Sequence, residues 1–565
     1  MATRPSHNNA GVVIIGAGIS GMCTAIDMIR RNSSRDFVIL EKGSQVGGTW
    51  NDNKYPGCCS DVWSHLYSYS FDSNPSWSRE YPGQEEIHAY LVAVAERWGL
   101  FRHLRFNTAV KEATWNEKTK QWNTRVQICG EKEAEFAREY TIASDFLVSG
   151  VGQLNMPQYP AIPGIDDFQG RMMHSARWDW SYELAGKKVA IIGNGATAAQ
   201  IIPEVAKVCD TLTVFQRTPN WVVPRGDTPI SERMRAIYKY VPLVRKRYRA
   251  HLMDLRERFF EAAIVDDSEA NNRLRADSVA MMERQIPDNP ELRARLTPNY
   301  PPGCKRVILS DDIFPALNQK HVSLETRHIQ QITKNGIKVE GHDQEFDLII
   351  LATGFRTLEF MYPIKITGAG GRSLQDIWKH GAKAYLGVTV AALPNFGMLY
   401  GPNTNLGHNS IILMIEAQSH YISTLIVPVL AARKQHLSLA ITPRAARLEE
   451  YNAELQSRLQ NLTFSSAKCD SWYKNADGLV TNNWCGTVVE YQTKLSELDW
   501  GDFDLSGTGK SIIISPQKPV HLGRVVEETR ISLLGLGAGI TTAAIALRLL
   551  SQTSLLHALL SKVHS

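Results

Sequence analysis

Two glycine-rich turns, each lying between an apolar run and a helical repeat, constrain the fold of this chain more than any other feature. The first turn reads Gly-Ala-Gly-Ile-Ser-Gly and the second Gly-Asn-Gly-Ala-Thr-Ala, and both follow apolar runs that predict buried parallel strands. The glycines permit a tight turn and let the helix N-terminus approach a pyrophosphate. We therefore predict an α/β protein with two Rossmann-like dinucleotide-binding domains. The positions expected to contact the nucleotides are Gly16, Gly18, Gly21, Gly193, Asn194, Gly195, Ala196, Thr197 and Ala198.

The residue that ends the second strand of each unit distinguishes the two nucleotides. In the first unit, residues 37–40 end at Glu41, whose carboxylate is placed to accept hydrogen bonds from an unphosphorylated ribose such as that of FAD. In the second unit, residues 211–216 end at Arg217-Thr218. An acid would repel a 2′-phosphate, whereas a guanidinium can bind it through two hydrogen bonds. The sequence thus predicts FAD in the first unit and NADPH in the second.

Composition indicates an ordered globular protein and argues against several classes of function. Of 565 residues, 43% are apolar and 21% charged, and this length predicts three or four structural units. A net charge of +5 without a recognisable module gives no reason to expect nucleic-acid binding. The eight cysteines lack metal-ligand spacing, so we predict no metal site and reduced thiols. The first ten residues are polar, unlike a secretory signal, and we expect an intracellular protein that is not secreted.

A third motif lies between the two nucleotide turns. Its typed positions are Phe168, Gly170, His174, Trp178 and Asp179. The pattern F-x-G-x-x-x-H-x-x-x-W-D resembles the signature of flavin-dependent Baeyer–Villiger monooxygenases, which are class B flavoprotein monooxygenases. The resemblance implies an oxidoreductase that uses FAD and NADPH to insert one atom of O2 beside a ketone carbonyl. In that family the reaction gives an ester or lactone and proceeds through a C4a-peroxyflavin.

A further motif of the same family follows the second strand of the first unit. The pattern G-G-x-W-x4-Y-P-G-x3-D begins at Gly47 and matches at every typed position. The resemblance implies that the flavin or its adenine is contacted, or closely approached, by Thr49, Trp50, Asp61, Tyr67 and Val110. One position departs from the family: many relatives have Arg where this chain has Cys59, which removes a cation near the nicotinamide path.

Lys305 and Arg306 lie in a Gly-Cys-Lys-Arg segment that also resembles the family. The resemblance implies that Lys305 contributes to the NADP phosphate pocket and that Arg306 reaches the flavin as a catalytic residue. A guanidinium stays protonated at any working pH and points several donors in one plane, so it can stabilise negative charge on the reacting oxygens. Asp61 is the second catalytic candidate, because it would orient Arg306. A weaker similarity places Trp472 in a loop near NADP.

These motifs divide the chain into nested segments. We predict a discontinuous FAD-binding domain comprising residues 1–150 and 345–500. A signature linker at residues 151–180 leads into an NADPH-binding domain at residues 181–344. Residues 229–298 form a helical insert in the second domain.

The helical insert has apolar residues at three- and four-residue steps with basic residues between them. A helix with this pattern lies on a membrane surface or packs as a lid on its parent domain, and we favour the lid. Pro242 falls inside the pattern, so the main helix is expected to start or to kink there.

Residues 501–565 lie outside the resemblance. The segment 531–547 is uncharged, and Arg548 follows it. A spanning helix needs about 20 apolar residues and a terminal arginine can snorkel, so a membrane-associated helix at residues 531–550 is one interpretation. Glycines and threonines dilute its hydrophobicity, and an apolar helix docked on the FAD domain is the other interpretation.

Other functions share part of this pattern. Flavin monooxygenases that oxygenate nitrogen or sulfur atoms have both glycine turns but typically carry a shorter signature without the Trp-Asp ending. A disulfide reductase needs a redox cysteine pair beside the flavin, and the adjacent Cys58-Cys59 pair is a poor candidate for a strain-free bridge. A scaffold would not need two complete cofactor motifs. We therefore favour oxygenation of a large apolar, cyclic or aromatic ketone, with O2 as the second substrate.

Overall fold

The computed structural model of the chain describes residues 8–130, 137–513 and 518–525, together with residues 541, 545 and 548. The helix predicted at residues 531–550 lies outside the described residues, except for residues 541, 545 and 548. Among the described helices, Ile411–Lys434 is long and apolar enough to cross a membrane, but 78% of its apolar window is buried inside the protein. It is a core helix of the first unit, packed against the helix Ile19–Asn32.

The first glycine-rich turn follows the strand Asn9–Ile15, which belongs to an eight-stranded mixed sheet. This strand pairs in parallel with Phe37–Leu40 on one side and with Glu139–Ser149 on the other. The chain order therefore reverses at the carboxyl end of this strand, which is where open α/β sheets bind their ligands. The remaining strands of the sheet are Leu104–Arg105, Thr108–Asn116, Gln121–Ile128, Lys365–Thr367 and Phe396–Met398.

The second glycine-rich turn follows the central strand of a five-stranded parallel sheet. In spatial order its strands are Val322–Glu325, Thr211–Phe215, Lys188–Ile192, Leu348–Leu351 and Arg171–His174. The three inner strands are short and mainly apolar, as expected for a sheet covered on both faces. The two Rossmann-type units predicted from the sequence are thus confirmed.

Two domain boundaries differ from the expected ones. The strand Leu348–Leu351, which we assigned to the FAD-binding domain, pairs with Lys188–Ile192 and Arg171–His174 in the second sheet. The strand Arg171–His174 in turn belongs to the segment that we described as a linker. Strand pairing between distant segments is not visible in an apolar run alone, and the second unit therefore extends to residue 351.

Smaller elements surround the two sheets. A three-stranded antiparallel sheet covers one side of the second unit and consists of Ile329–Ile332, Gly336–Val339 and His342–Glu345. Three short strand pairs are Val222–Val223 with Ile308–Leu309, Ala440–Pro443 with Phe503–Ser506, and Glu497–Leu498 with Val520–His521. Helices outside the insert, besides those already given, are Thr49–Asp52, Gln84–Arg97, Ala196–Ala206, Ile313–Leu317, Leu374–Ile377, Ala445–Leu459 and Val488–Lys494.

The helical insert consists of Glu232–Tyr240, Pro242–Ile264, Glu269–Gln285 and Pro290–Leu296. Pro242 is the first residue of its helix and so begins it, because proline at this position loses no intrahelical hydrogen bond.

The main helix packs on its parent domain through Phe259 and Ala262, but it also packs on the first unit, which the sequence did not predict. Leu252, Met253 and Ile264 of the helix Pro242–Ile264 belong to the hydrophobic core of the first unit. The buried Arg249 donates hydrogen bonds to the backbone oxygens of His65 (2.6 Å) and Leu66 (3.2 Å). The insert therefore connects the two units.

His65 provides a test of this packing through pH. Its ring lies 4.6 Å from that of Tyr238 and 5.5 Å from that of Tyr248, and burial, followed by the charges of Arg249 and Arg245, lowers its pKa to about 3. The unfolded chain binds a proton below about pH 6.5 and the folded protein does not, so stability is lost as the pH falls from about 6.5 towards 3. At pH 5 this loss is about 2 kcal/mol.

We therefore expect His65→Phe to reduce the difference in thermal midpoint between pH 7 and pH 5. A phenylalanine ring keeps the contacts with Tyr238 and Tyr248 but does not titrate. The exposed His328 serves as the control position, and His328→Phe should leave the pH dependence as in the wild type. An unchanged pH dependence in His65→Phe would contradict the prediction.

Candidate active site

The first glycine-rich turn has the geometry that a pyrophosphate requires. Gly16 adopts φ = +97°, and a Cβ on Gly21 would lie 1.9 Å from the backbone oxygen of Gly16. The helix Ile19–Asn32 begins directly after Gly18, so its free N–H groups face the end of the sheet. A Cβ on Gly48 would lie 3.0 Å from the Cα of Gly18, which brings the second flavin motif against the turn.

Glu41 lies at the end of its strand, as predicted, and faces the same turn. Its Oε2 accepts a hydrogen bond from the backbone N–H of Ala17 (2.8 Å) and its Oε1 accepts one from Gly43 (2.7 Å). Burial raises the pKa of this carboxyl above its ordinary value. The backbone N–H of Thr108 donates to the backbone oxygen of Glu41 at 2.8 Å, so the strand that carries Val110 starts beside this site. The arrangement suits the ribose and adenine of a dinucleotide.

The residues predicted to line the flavin come together around the short helix Thr49–Asp52. The indole N–H of Trp50 donates to the hydroxyl of Tyr67 at 3.2 Å, and the two rings meet edge to face at 5.6 Å. The Thr49 hydroxyl faces the backbone oxygen of Leu154 at 3.5 Å. The hydrogen bond and the ring contact between Trp50 and Tyr67 hold both aromatic side chains in one orientation beside the turn.

Asp61 and Arg306, 245 residues apart, form a close ion pair. The Arg306 Nε and Nη2 atoms donate to Asp61 Oδ2 at 3.0 and 2.6 Å, and Nη1 donates to the Leu406 backbone oxygen at 2.9 Å. Burial by itself would raise the pKa of Asp61, but the Arg306 guanidinium holds it below its ordinary value. Asp61 in turn raises the pKa of Arg306 against the effect of burial. Both groups are therefore charged throughout the neutral range.

A second arginine beside Asp61 was not found from the sequence. The buried Arg256 donates to the backbone oxygen of Asp61 at 2.7 Å, and its guanidinium lies 4.7 Å above the Trp63 ring. A signal was nevertheless present, because Arg249, Leu252, Met253 and Arg256 follow the i, i+3, i+4, i+7 spacing of one helix face. Two arginines on an otherwise apolar face indicate backbone or carboxylate partners in the interior.

Cys59 lies at the seam between the two units and is accompanied by a cation. Arg225, which follows the strand Val222–Val223 of the second unit, directs Nη1 at the Cys59 sulfur at 3.0 Å. Gln200, from the helix that follows the second turn, donates to the Cys59 backbone oxygen at 3.1 Å. Burial raises the pKa of the Cys59 thiol, with Arg225 opposing this effect. Arg225, 166 residues away in the sequence, thus supplies the cation that position 59 lacks.

The second glycine-rich turn repeats the geometry of the first. Gly193 adopts φ = +111°, and Gly195 caps the helix Ala196–Ala206, whose first residues include Thr197 and Ala198. A Cβ on Gly195 would meet no atom of the protein within 4 Å, so space for a phosphate is open in front of the helix. Asn194 donates to the Gln216 side chain and the Thr218 backbone oxygen, each at 2.8 Å, which fixes the end of the second strand beside the turn.

Arg217 and Lys305 lie close together at the edge of this turn. Arg217 is 82% exposed and has a loose contact with Asp470 at 3.4 Å. The ammonium of Lys305 lies 5.4 Å from the Tyr300 ring centre, and burial, followed by the charge of Arg217, lowers the Lys305 pKa. Two cations that repel each other are arranged as they would be around a shared anion, such as a 2′-phosphate.

A disulfide joins two segments of this region and corrects the expectation that all cysteines are reduced. Cys304, directly before Lys305, is bonded to Cys469, 165 residues later in the chain. Their proximity arises only in the folded chain, which is why spacing did not reveal it. The bond fixes the Lys305-Arg306 segment to the loop that carries Trp472, whose backbone oxygen accepts from the Thr357 hydroxyl at 3.4 Å.

The signature motif contributes the edge strand Arg171–His174 to the second sheet. His174 ends the strand Arg171–His174, is buried, and accepts a hydrogen bond at Nδ1 from the Ala176 N–H at 3.1 Å. Its ring lies 6.1 Å from that of Phe355, at the chain crossing out of the second unit. Phe168 packs on the three-stranded sheet, and a Cβ on Gly170 would approach its ring to 2.5 Å.

The end of the signature is fixed by local contacts. Asp179 accepts hydrogen bonds from the Ser181 N–H (3.0 Å) and hydroxyl (2.6 Å) and forms an ion pair with Arg171. Trp178 packs against the core of the second unit. These contacts fix the motif on the second unit and do not bring its residues to the Asp61–Arg306 pair.

The chain has two nucleotide-binding units. The second strand of one unit ends in a carboxylate and that of the other ends in a cation. This combination defines a flavoprotein that uses a nicotinamide cofactor. The flavin-binding monooxygenase-like family model matches residues 9–366. The FAD-binding monooxygenase ktnD of Aspergillus niger is 51% identical over 95% of this chain and 88% of its own length. A Baeyer-Villiger monooxygenase of Streptomyces coelicolor is 40% identical over 88% of this chain and 93% of its own.

Solved structures agree with these sequence relationships. Cyclohexanone monooxygenase from Rhodococcus sp. Phi1, bound to NADP+, superimposes with a TM-score of 0.76 at 27% identity and covers 89% of this chain and all of its own. The chain belongs to the flavin-binding monooxygenase-like family and is an FAD- and NADPH-dependent monooxygenase of the Baeyer–Villiger type. The family and the two cofactors inferred from the sequence are thus confirmed.

Proposed function

We propose that this enzyme inserts one oxygen atom of O2 beside the carbonyl of a large apolar, cyclic or aromatic ketone, giving an ester or lactone. The observation that carries the proposal is the Arg306 guanidinium. Of its five N–H groups, three donate to Asp61 and Leu406, which leaves two without a hydrogen bond within the described part of the chain. These two donors are available to an anion that forms during the reaction.

The protein's own groups have distinct roles in this proposal. The first unit would hold FAD, which when bound would supply the redox chemistry with NADPH and O2 that no side chain named here can supply. Arg306 stabilises the negative charge that develops on the oxygen of the ketone carbonyl, and Asp61 holds the guanidinium in one plane. Arg256 fixes the backbone at Asp61. Because Arg306 remains protonated, it acts as an electrostatic group and not as a proton donor.

NADPH is assigned to the second unit. Arg217 and Lys305 bind its 2′-phosphate, and the turn at residues 193–198 receives its pyrophosphate. The signature residues, held at the edge of the second sheet, keep the nicotinamide half in place and help to exclude water. A cyclic ketone is supported by the cyclohexanone monooxygenase with which the chain superimposes.

The proposal is tested with 18O2 and a panel of cyclic and aryl ketones. One 18O atom is expected in the ring or ester oxygen of the product, with one NADPH consumed per product formed. A parallel panel of thioethers and tertiary amines tests the alternative. Efficient oxygenation of sulfur or nitrogen without any ester formation would assign the enzyme to the alternative chemistry.

Arg225 is predicted to replace the cation lost at Cys59. Arg225→Met should lower the rate of anaerobic flavin reduction by NADPH about tenfold, the effect of removing roughly 1.4 kcal/mol of charge stabilisation near the nicotinamide. The double variant Arg225→Met/Cys59→Arg should recover most of the rate, because it returns a guanidinium to the same place. Arg125→Met, which removes a surface partner of Glu112, is the control. Failure of the double variant to recover the rate would contradict this role.

A further inference from the structure

The corner between the first two insert helices exposes consecutive apolar side chains. Tyr240, Val241, Leu243 and Val244 are 74%, 46%, 68% and 38% exposed, and Pro242 between them is exposed as well. We call residues 240–244 the apolar corner. Other large apolar side chains that are exposed in the described part of the chain occur singly, as is normal for a soluble surface.

The apolar corner follows from the local sequence. The helix Glu232–Tyr240 ends at Val241, and Pro242 begins the next helix, so the chain turns where no other element covers it. The base of the corner is firmly held: Tyr238 is buried and stacks on Tyr248 at 5.4 Å between ring centres. High exposure on a rigid base means that these side chains project outwards and do not line a groove.

Basic residues surround the apolar corner. From Arg233 to Met253 the chain has seven lysines and arginines and no aspartate or glutamate. Of these, Arg233, Lys239 and Lys246 are exposed, whereas Arg249 is buried and faces the interior. Glu80, the carboxylate that accepts a hydrogen bond from Tyr248, faces the inner side of this segment. The outward surface is therefore apolar at its tip and positively charged around it.

We propose that the apolar corner inserts into the surface of an anionic lipid bilayer. A stable protein interface usually needs about 20–30 residues a side, far more than this corner offers. A bilayer accepts a small apolar insertion, and each basic residue near an anionic surface increases binding roughly fivefold. A second copy of the chain is disfavoured, because symmetric contact would bring Lys239 and Lys246 against the same cations of the partner.

Flotation with vesicles tests the proposal on the full chain. The wild type should bind phosphatidylcholine vesicles that contain about 30 mol% phosphatidylserine at low salt, but not pure phosphatidylcholine, and high salt should weaken binding. Tyr240→Ser/Leu243→Ser should lower the apparent affinity at least tenfold, because two side chains no longer leave water. The control, Val208→Ser/Val427→Ser, removes two apolar side chains elsewhere that are 49% and 47% exposed, and it should bind like the wild type.

Each variant is checked for folding by its FAD content and its rate of NADPH oxidation, both of which should equal those of the wild type. Absence of binding by the wild type would overturn the proposal. So would equal binding by the wild type and the corner variant, since another segment would then be responsible. Self-association without lipid that disappears in the corner variant would instead identify a second copy as the partner.

Discussion

Arg306→Ala is expected to lower the rate of ketone oxygenation by a factor of about 10² to 10³. Removing one preorganised donor to a developing oxyanion typically costs about 3–4 kcal/mol, and Arg306 retains two donors beyond those that Asp61 and Leu406 accept. Product formation should fall while the rate of anaerobic reduction by NADPH changes little. The electrons from NADPH should then appear as H2O2, measured alongside the ester.

Two variants separate charge from geometry. Arg306→Lys keeps the charge but cannot donate to Asp61 and Leu406 in one plane, so we expect it to recover only part of the rate. Arg327→Ala removes a guanidinium with an equally short contact, 2.6 Å to Glu325, and should leave turnover unchanged. Ester formation in Arg306→Ala at more than a tenth of the wild-type rate would refute the role proposed for Arg306.

The second large effect is expected for NADPH recognition. The double variant Arg217→Ala/Lys305→Ala should lower kcat/KM for NADPH about 10² to 10⁴-fold, because each of the two charge-assisted hydrogen bonds lost to the phosphate contributes about 1.5–3 kcal/mol. NADH has no 2′-phosphate, and its kcat/KM should change less than about threefold. Steady-state kinetics with both cofactors measures the ratio.

Arg273→Ala is the matched control for this change, since it removes another exposed arginine that pairs with Glu269 at 2.8 Å. Equal losses with NADPH and NADH would show that the double variant damages the fold of the second unit and not the recognition of the phosphate. FAD content should remain that of the wild type, because the altered residues lie in the second unit.

The insert shows where sequence patterns stop being informative. Its helical period was predicted correctly and Pro242 begins a helix, but the period does not say which surface the apolar face covers. That face belongs to the core of the first unit, through Leu252, Met253 and Ile264. Similarly, the sequence predicted that the run Leu348–Leu351 is a buried strand, but it did not predict that this strand pairs with Lys188–Ile192.

The sequence by itself determined the two nucleotide units and the cofactor expected in each. These features are local: a turn needs glycines within six residues, and the charge that meets a ribose or a 2′-phosphate lies at the end of the next strand. The tertiary structure alone decided which distant groups meet: Arg256 beneath Asp61, Arg225 beside Cys59, and Cys304 bonded to Cys469. Each of these pairs is separated by more than 160 residues, and contacts of that range follow from how the two sheets and the insert pack, which no local pattern encodes.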